Sequence, residues 1–128
     1  MQTQAEAPLN LNQFTGSASF TKYGMFTKDV ASEGVMYLAE EMGAYWLLDT
    51  LTACLMAPNN KEDFIVFKLT PIHSHGMQIT LEDGNENTVH SHKVEFTDFN
   101  FSKVPADFSI WAARNEIGSY TLYLPSEH

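Results

Sequence analysis

The sequence predicts a two-layer α+β domain, with helices packed on one face of an antiparallel sheet of about five strands. Apolar residues recur with helical spacing in the first half of the chain, and short β-branched and aromatic segments fill the second half. The length of 128 residues is typical of one domain. We therefore expect a single domain over 1–128, with 1–8 flexible, a helical half over 9–57 and the antiparallel sheet over 62–125.

Two apolar stripes predict two helices with a break between them. The first stripe lies opposite a set of glutamates and contains Ala31, Val35, Leu38, Ala39 and Met42. We expect Thr27 or Asp29 to cap its start. The second stripe falls nearly opposite the continuation of the first and contains Ala44, Leu47, Leu48, Leu51 and Leu55. Gly43 sits at this change of phase and favours a helix end, so the break is predicted there.

The strands are predicted in short segments separated by turn-forming residues, at 63–70, 76–82, 88–97, 107–113 and 120–124. Their short connections favour an antiparallel meander over a parallel sheet. An open edge strand of such a sheet can pair with a second copy. A homodimer is therefore compatible with the sequence, and 107–113 and 120–124 are the candidate edge segments.

The turn over 83–87 fixes which side chains share a face of the sheet. If Met77, Ile79 and Leu81 face the core, the residues that face it from the next strand are His90, His92, Val94 and Phe96. Ser91, Lys93 and Glu95 then face solvent.

The charge balance and the cysteine content exclude several classes of function. The formal net charge of -9 repels phosphates and anionic lipids, so we expect neither direct nucleic-acid binding nor membrane binding. Cys54 is the only cysteine, and no apolar segment approaches the roughly 18 residues of a membrane span. The N-terminus also lacks the pattern of a signal peptide. We therefore expect a cytoplasmic protein in which Cys54 belongs to the core.

No basic residue lies between Lys28 and Lys61, which predicts an acidic surface on the helices. We assign partner binding to residues in this region: Glu33, Glu40, Glu41, Tyr45 and Asp49. The leading hypothesis is a non-enzymatic binding or regulatory protein that acts through this surface. Because a dense acidic surface can imitate phosphate, a specific version is an inhibitor of a basic, nucleic-acid-handling host or phage protein. Tyr45, Trp46 and Trp111 either contribute to this contact surface or pack between helix and sheet.

Two His-Ser-His segments suggest an alternative function, a small metal-dependent enzyme. The candidate ligands are His73, His75, His90 and His92, because residues two apart on a strand point to the same side. A two-residue turn at Gly84 and Asn85 would bring His75 to roughly 7 Å from His92, whereas a four-residue loop would separate them by about 13 Å.

No zinc-binding, phosphate-binding or nucleophile motif accompanies these histidines. The simpler interpretation has no cofactor, with His90 and His92 hydrogen-bonded at the semi-buried rim of the sheet and His73 and His75 in a loop after Pro71. We assign no catalytic residue from the sequence. A third hypothesis is a pocket between the helices and the sheet that binds a small molecule.

The run from Tyr37 to Asp49 (YLAEEMGAYWLLD), with LEDGN at 81–85, EFTDF at 95–99 and LPSEH at 124–128, resembles an uncharacterised family of small bacterial proteins. The likeness covers roughly residues 12–128. The resemblance implies one domain encoded on bacterial chromosomes, plasmids and phages, near mobile-element genes, and it implies no reaction. The family pattern does not include the His-Ser-His segments.

Overall fold

The computed structural model describes residues 9–14, 20–23, 28–56, 60–73 and 75–127. The segment 1–8, predicted to be flexible, lies outside these ranges. The α-helices and strands follow the order β1 Phe20–Lys22, β2 Val30–Ser32, α1 Glu33–Glu41, α2 Tyr45–Leu55, β3 Phe64–Ile72, β4 Gly76–Glu82, β5 Thr88–Val94, β6 Ser109–Arg114 and β7 Tyr120–Tyr123.

The α+β class is confirmed, but the prediction of five antiparallel strands is wrong. The described strands form one seven-stranded sheet in the order β1-β2-β7-β6-β3-β4-β5. The five predicted strands correspond to β3 to β7, and β1 and β2 lie within the predicted helical half. Because β2 runs parallel to β7, with Val30 beside Thr121, the sheet is mixed. β1 and β2 are three residues each, too short to show the two-residue period of a strand.

The strand order also differs from a meander. β3, β4 and β5 are joined by hairpins, but the chain then returns over 95–108 and places β6 on the other side of β3. The buried side chains of Phe99 and Phe108 belong to this return segment. The edges of the described sheet are consequently β1 and β5. The prediction that 107–113 and 120–124 are edge segments is therefore wrong.

Helix α1 begins at a different cap from the one predicted. The Oγ atom of Ser32 accepts the backbone N–H of Val35 at 3.2 Å, which makes Ser32 the N-cap. Thr27 lies outside the described residues. The buried Asp29 instead accepts the backbone N–H of Tyr120 at 2.8 Å, which ties the start of β2 to β7. Ala31, expected on the helix, is a buried residue of β2.

The break at Gly43 is confirmed. Gly43 has a φ of 60°, and its N–H donates to the carbonyl of Glu40 at 3.3 Å. The N–H of Ala44 donates to the carbonyl of Ala39 at 2.8 Å, which completes a Schellman motif. Helix α2 then starts in a new direction at Tyr45, so that both apolar stripes face the same core.

One hydrophobic cluster joins the helices to one face of the sheet. Its fully buried members include Leu38, Leu48 and Leu51 from the helices and, from the sheet, Ile65, Phe67, Leu69, Met77, Ile79, Leu81, Ile110 and Leu122. Burial of each large aliphatic or aromatic side chain contributes about 1.5–3 kcal/mol. Cys54 is also buried in this cluster, as predicted.

The opposite face of the sheet carries an aromatic row. The rings of Phe64 and Trp111 meet edge to face at 5.4 Å between centroids, and those of Trp111 and Tyr123 at 6.1 Å. All three side chains are partly exposed. This face thus lies away from the helices.

Candidate functional site

The residues of the predicted acidic surface lie on the two helices. Glu33, Glu40, Glu41 and Asp49 are all exposed, and Tyr45 is 49% exposed. Glu33 and Glu40 are seven residues apart on α1, and Tyr45 and Asp49 are four apart on α2, so each pair shares one side of its helix. We define these five residues as the acidic helix surface.

Three carboxylates of this surface, Glu40, Glu41 and Asp49, have no ion-pair partner among the described residues. Glu40 and Glu41 occupy the last turn of α1, where the helix dipole is negative and where the helix has no basic residue. The described ranges contain ion pairs elsewhere: Lys68 with Glu82 at 3.3 Å, Lys93 with Glu95 at 3.6 Å and Arg114 with Asp63 at 3.0 Å.

The three aromatics proposed for the contact surface do not lie together. Tyr45 belongs to the acidic helix surface, and Trp46 is half-buried against the core. Trp111 lies on the open face of the sheet, because it alternates with the buried Ile110 and Ala112. Trp111 therefore neither joins the acidic residues nor packs between helix and sheet.

His90 and His92 lie on the face that the sequence predicts. His90 pairs with Leu81 and His92 with Ile79, so both imidazoles project from the helix-covered side of the sheet. They remain exposed because β5 is an edge strand.

A groove of about 330 Å³ separates these histidines from α2. The side chains that line it are Asp49, Thr50, Ala53, Cys54, His90 and His92. We call it the histidine groove. It brings together a carboxylate and two imidazoles from the two predicted sites, and Cys54 lies beside them. Burial raises the pKa of the Cys54 thiol, which favours the protonated form.

His73 and His75 are held apart from this groove. The hairpin loop spans 83–87, and the register places His92 beside Ile79, four residues from His75 and so about 13 Å along the strand. The ring of His75 instead contacts that of Phe96, at 5.3 Å between centroids. His73 has a φ of 56° in the turn before β4. The arrangement of His75 and His92 around one ion is thus not formed within one chain.

Within the described ranges, no three His, Cys, Asp or Glu side chains of one chain are arranged to hold one metal ion, and this includes those that line the histidine groove. The role of the four histidines as metal ligands stays a prediction. Sequence patterns could not place Asp49 and Cys54 beside His90, since that neighbourhood depends on how α2 packs over β5.

A second cavity of about 300 Å³ lies at the other face of the sheet, between the ring of Phe20 and that of Tyr123. Arg114, which also lines it, donates to the carboxylate of Asp63 and to the hydroxyl of Tyr120, and it lies 4.6 Å from the centroid of the Tyr120 ring. This guanidinium is thus engaged in holding β6 to its neighbours. Of these two cavities, the histidine groove is the one that lies between helix and sheet, and small-molecule binding there stays a prediction.

In the part of the chain that the structure describes, no helix has the length and apolarity needed to cross a membrane. The described part of the chain, two helices over a mixed sheet, defines an α+β protein. The acidic helix surface and the histidine groove are its candidate sites.

The chain belongs to DUF6876, a family of unknown function whose profile matches residues 5–128. The resemblance carried by the YLAEEMGAYWLLD run is thereby confirmed. No curated protein matches the chain. Among solved structures, the crystal structure of a protein of unknown function from Enterococcus faecalis is similar, with 20% identity and a TM-score of 0.51. The match covers 86% of this chain and 98% of that one, and it supports the fold alone.

Proposed function

We propose that this protein is a non-enzymatic binding protein that captures a basic protein partner on its acidic helix surface. The observation that supports the proposal is the position of Glu40 and Glu41 at the negative end of α1 without a cationic neighbour in that turn. The two carboxylates interact unfavourably with the negative end of the helix dipole and with each other, and both interactions lower the stability of the free protein. A cationic partner bound beside Glu40 and Glu41 would offset the repulsion between them and the unfavourable interaction with the dipole.

Tyr45 adds an aromatic anchor to this charge. Its ring is 49% exposed and follows Glu41 closely in the chain, across the Gly43 break. An exposed tyrosine four residues from both Glu41 and Asp49 in the chain suits arginine, which forms bidentate bonds to carboxylates and stacks on aromatic rings. The partner that fits best is therefore an arginine-rich protein surface.

Basic surfaces of this kind occur on proteins that bind nucleic acid. A carboxylate-lined surface that occupies them competes with phosphate, and this gives the inhibitory version of the proposal. Association driven by charge is also expected to weaken as salt rises.

The test is a pull-down from the native host with wild-type protein beside a Glu40→Gln/Glu41→Gln variant. The matched control is Glu95→Gln/Glu116→Gln, which changes the net charge equally at two exposed residues outside the helices. A Tyr45→Ala variant tests the aromatic anchor separately.

The proposal expects a basic partner that the wild type and the control retain and that the helix variant loses, with release by added salt. Equal retention by the helix variant and the control would contradict the proposal. So would a partner that is acidic or that binds independently of salt.

A further inference from the structure

Strand β5 is an open edge of the sheet. Among the described strands it pairs only with β4, and residues 88–93 are all exposed. An open edge strand presents unpaired backbone N–H and C=O groups to a second strand. At the other edge, β1 spans three residues, whereas β5 spans seven. Of the two described edges, β5 therefore has the length needed to support pairing with another chain.

The sequence around the middle of β5 is locally symmetric, because Ser91 has a histidine on each side. If two copies of β5 pair antiparallel about a two-fold axis at Ser91, His90 of one copy lies opposite His92 of the other. Both imidazoles of each copy project from the helix-covered face. All four therefore meet on one side of the joined sheet.

We infer that two copies of this chain pair through β5 and that the four imidazoles of His90 and His92 bind one divalent transition-metal ion on the two-fold axis. Residues two apart on a strand are separated by about 6.6 Å, and directly opposite residues by about 4.5–5.5 Å. The four Cα atoms thus form a rectangle that a tetrahedral zinc ion, with Zn–N bonds of about 2.0–2.1 Å, can span with histidine side chains. One chain supplies two of the four ligands, so the site is incomplete without the second copy.

The surroundings of the imidazoles suit this arrangement. Asp49 of each copy lines the histidine groove of that copy. A carboxylate in the surroundings of metal-bound imidazoles is a common acceptor for their second N–H. Lys93 projects from the opposite face, where its Nζ atom lies 3.6 Å from a carboxylate oxygen of Glu95. Its charge is therefore directed away from the ion.

Charge also makes the pairing dependent on the metal. Each chain carries a formal net charge of -9, so two copies repel each other. A divalent cation on the axis reduces this repulsion where the two chains meet. We therefore expect a monomer without metal and a dimer with it. Asp49 belongs to both the acidic helix surface and the histidine groove, but the inference does not rest on the proposed function, and its test changes none of the acidic residues.

The first test is sedimentation velocity on protein purified without a histidine tag, in EDTA and with zinc chloride at half a molar equivalent. The expected result is a 14.4 kDa monomer in EDTA and a species of twice that mass with zinc, with one zinc per two chains. His90→Ala and His92→Ala should each weaken zinc-dependent association at least tenfold. The matched control, His73→Ala/His75→Ala, removes two exposed histidines from the neighbouring hairpin and should dimerise normally.

A second test does not depend on histidine variants. In the proposed pairing, Ser91 of each copy faces Ser91 of the other at a Cα separation compatible with a disulfide. Ser91→Cys should therefore give an oxidised dimer on a non-reducing gel, faster with zinc than with EDTA. Ser102→Cys, at an exposed position outside β5, is the control, and Cys54 is buried.

Three outcomes would overturn the inference. They are a monomer at every zinc concentration, binding of one zinc per chain without association, and a zinc-dependent dimer that persists in both His90→Ala and His92→Ala. Equal cross-linking through Ser102→Cys and Ser91→Cys would also overturn it.

Discussion

The backbone N–H of Gly34 donates to Oε2 of Glu127 at 3.1 Å, across 93 residues of sequence. The other carboxylate oxygen accepts the hydroxyl of Ser32 at 2.5 Å and the backbone N–H of Leu124 at 2.8 Å. Glu127 is 8% exposed, so these donors replace the water that the carboxylate loses. An acid from the end of the chain thereby caps the start of α1, where the helix dipole is positive.

This contact leaves no room for a side chain at position 34. A Cβ atom on Gly34 would lie 2.6 Å from Cδ1 of Leu124 and 2.8 Å from Oε1 of Glu127. We expect Gly34→Ala to lower the free energy of unfolding by about 1–3 kcal/mol, measured by urea denaturation. Gly84→Ala is the control, since its Cβ would lie 3.6 Å from the Phe64 ring, an ordinary contact. Equal effects of the two substitutions would contradict the tight packing at Gly34.

Glu127→Gln tests the hydrogen bonds of the same carboxylate. The amide nitrogen cannot accept a bond, so at least one buried donor loses its partner, and we expect a loss of about 1–3 kcal/mol. Ser32→Ala alone should cost about 1 kcal/mol, because it removes the N-cap. Since the two residues bond to each other, the double variant should be less destabilised than the sum of the single effects. Strict additivity would show that the two side chains act separately.

Asp83 gives a prediction about pH. The backbone N–H groups of Asn87 and Asn85 donate to its side chain and lower its pKa below the ordinary 3.8. A lowered pKa in the folded state stabilises the protein above the unfolded pKa, and this stabilisation is lost as pH falls through the folded value. Asp83→Asn should therefore be less stable than wild type at pH 7, and the difference should shrink below about pH 3.8.

The measurement is guanidinium denaturation of both proteins from pH 7 to pH 2.5. Asp107→Asn, at an exposed aspartate outside this loop, serves as the control. A difference between wild type and Asp83→Asn that stays constant over the whole range would contradict the role assigned to the ionised carboxylate.

The features that the sequence predicted correctly depend on near neighbours in the chain. The Gly43 break follows from the phase of two apolar stripes and from a residue that tolerates a positive φ. The shared face of His90 and His92 follows from the parity of a single hairpin. Both arguments use a few consecutive residues, and both are confirmed.

The features that the sequence did not predict correctly depend on distant partners. Ala31 is a strand residue because it pairs with Leu122, and no pattern in the neighbouring sequence predicts that pairing. Similarly, β6 adds to the free side of β3, so the return segment 95–108 decides the edges of the sheet. The acidic helix surface was predictable because exposed charges follow helical period. The histidine groove was not predictable, since Asp49 and His90 line one groove only as a result of tertiary packing.

The parallel pairing of β2 with β7 has a consequence for biosynthesis. β2 precedes both helices, yet the strand that completes its hydrogen bonding, β7, comes after all the other described strands in the chain. While the chain emerges from the ribosome, the N-terminal segments must wait, with their apolar side chains uncovered, until the residues up to Glu127 are released. Nascent chains that stall before β7 would therefore expose an incomplete sheet with unpaired strands. We expect such chains to bind holding chaperones and to be degraded by quality-control proteases.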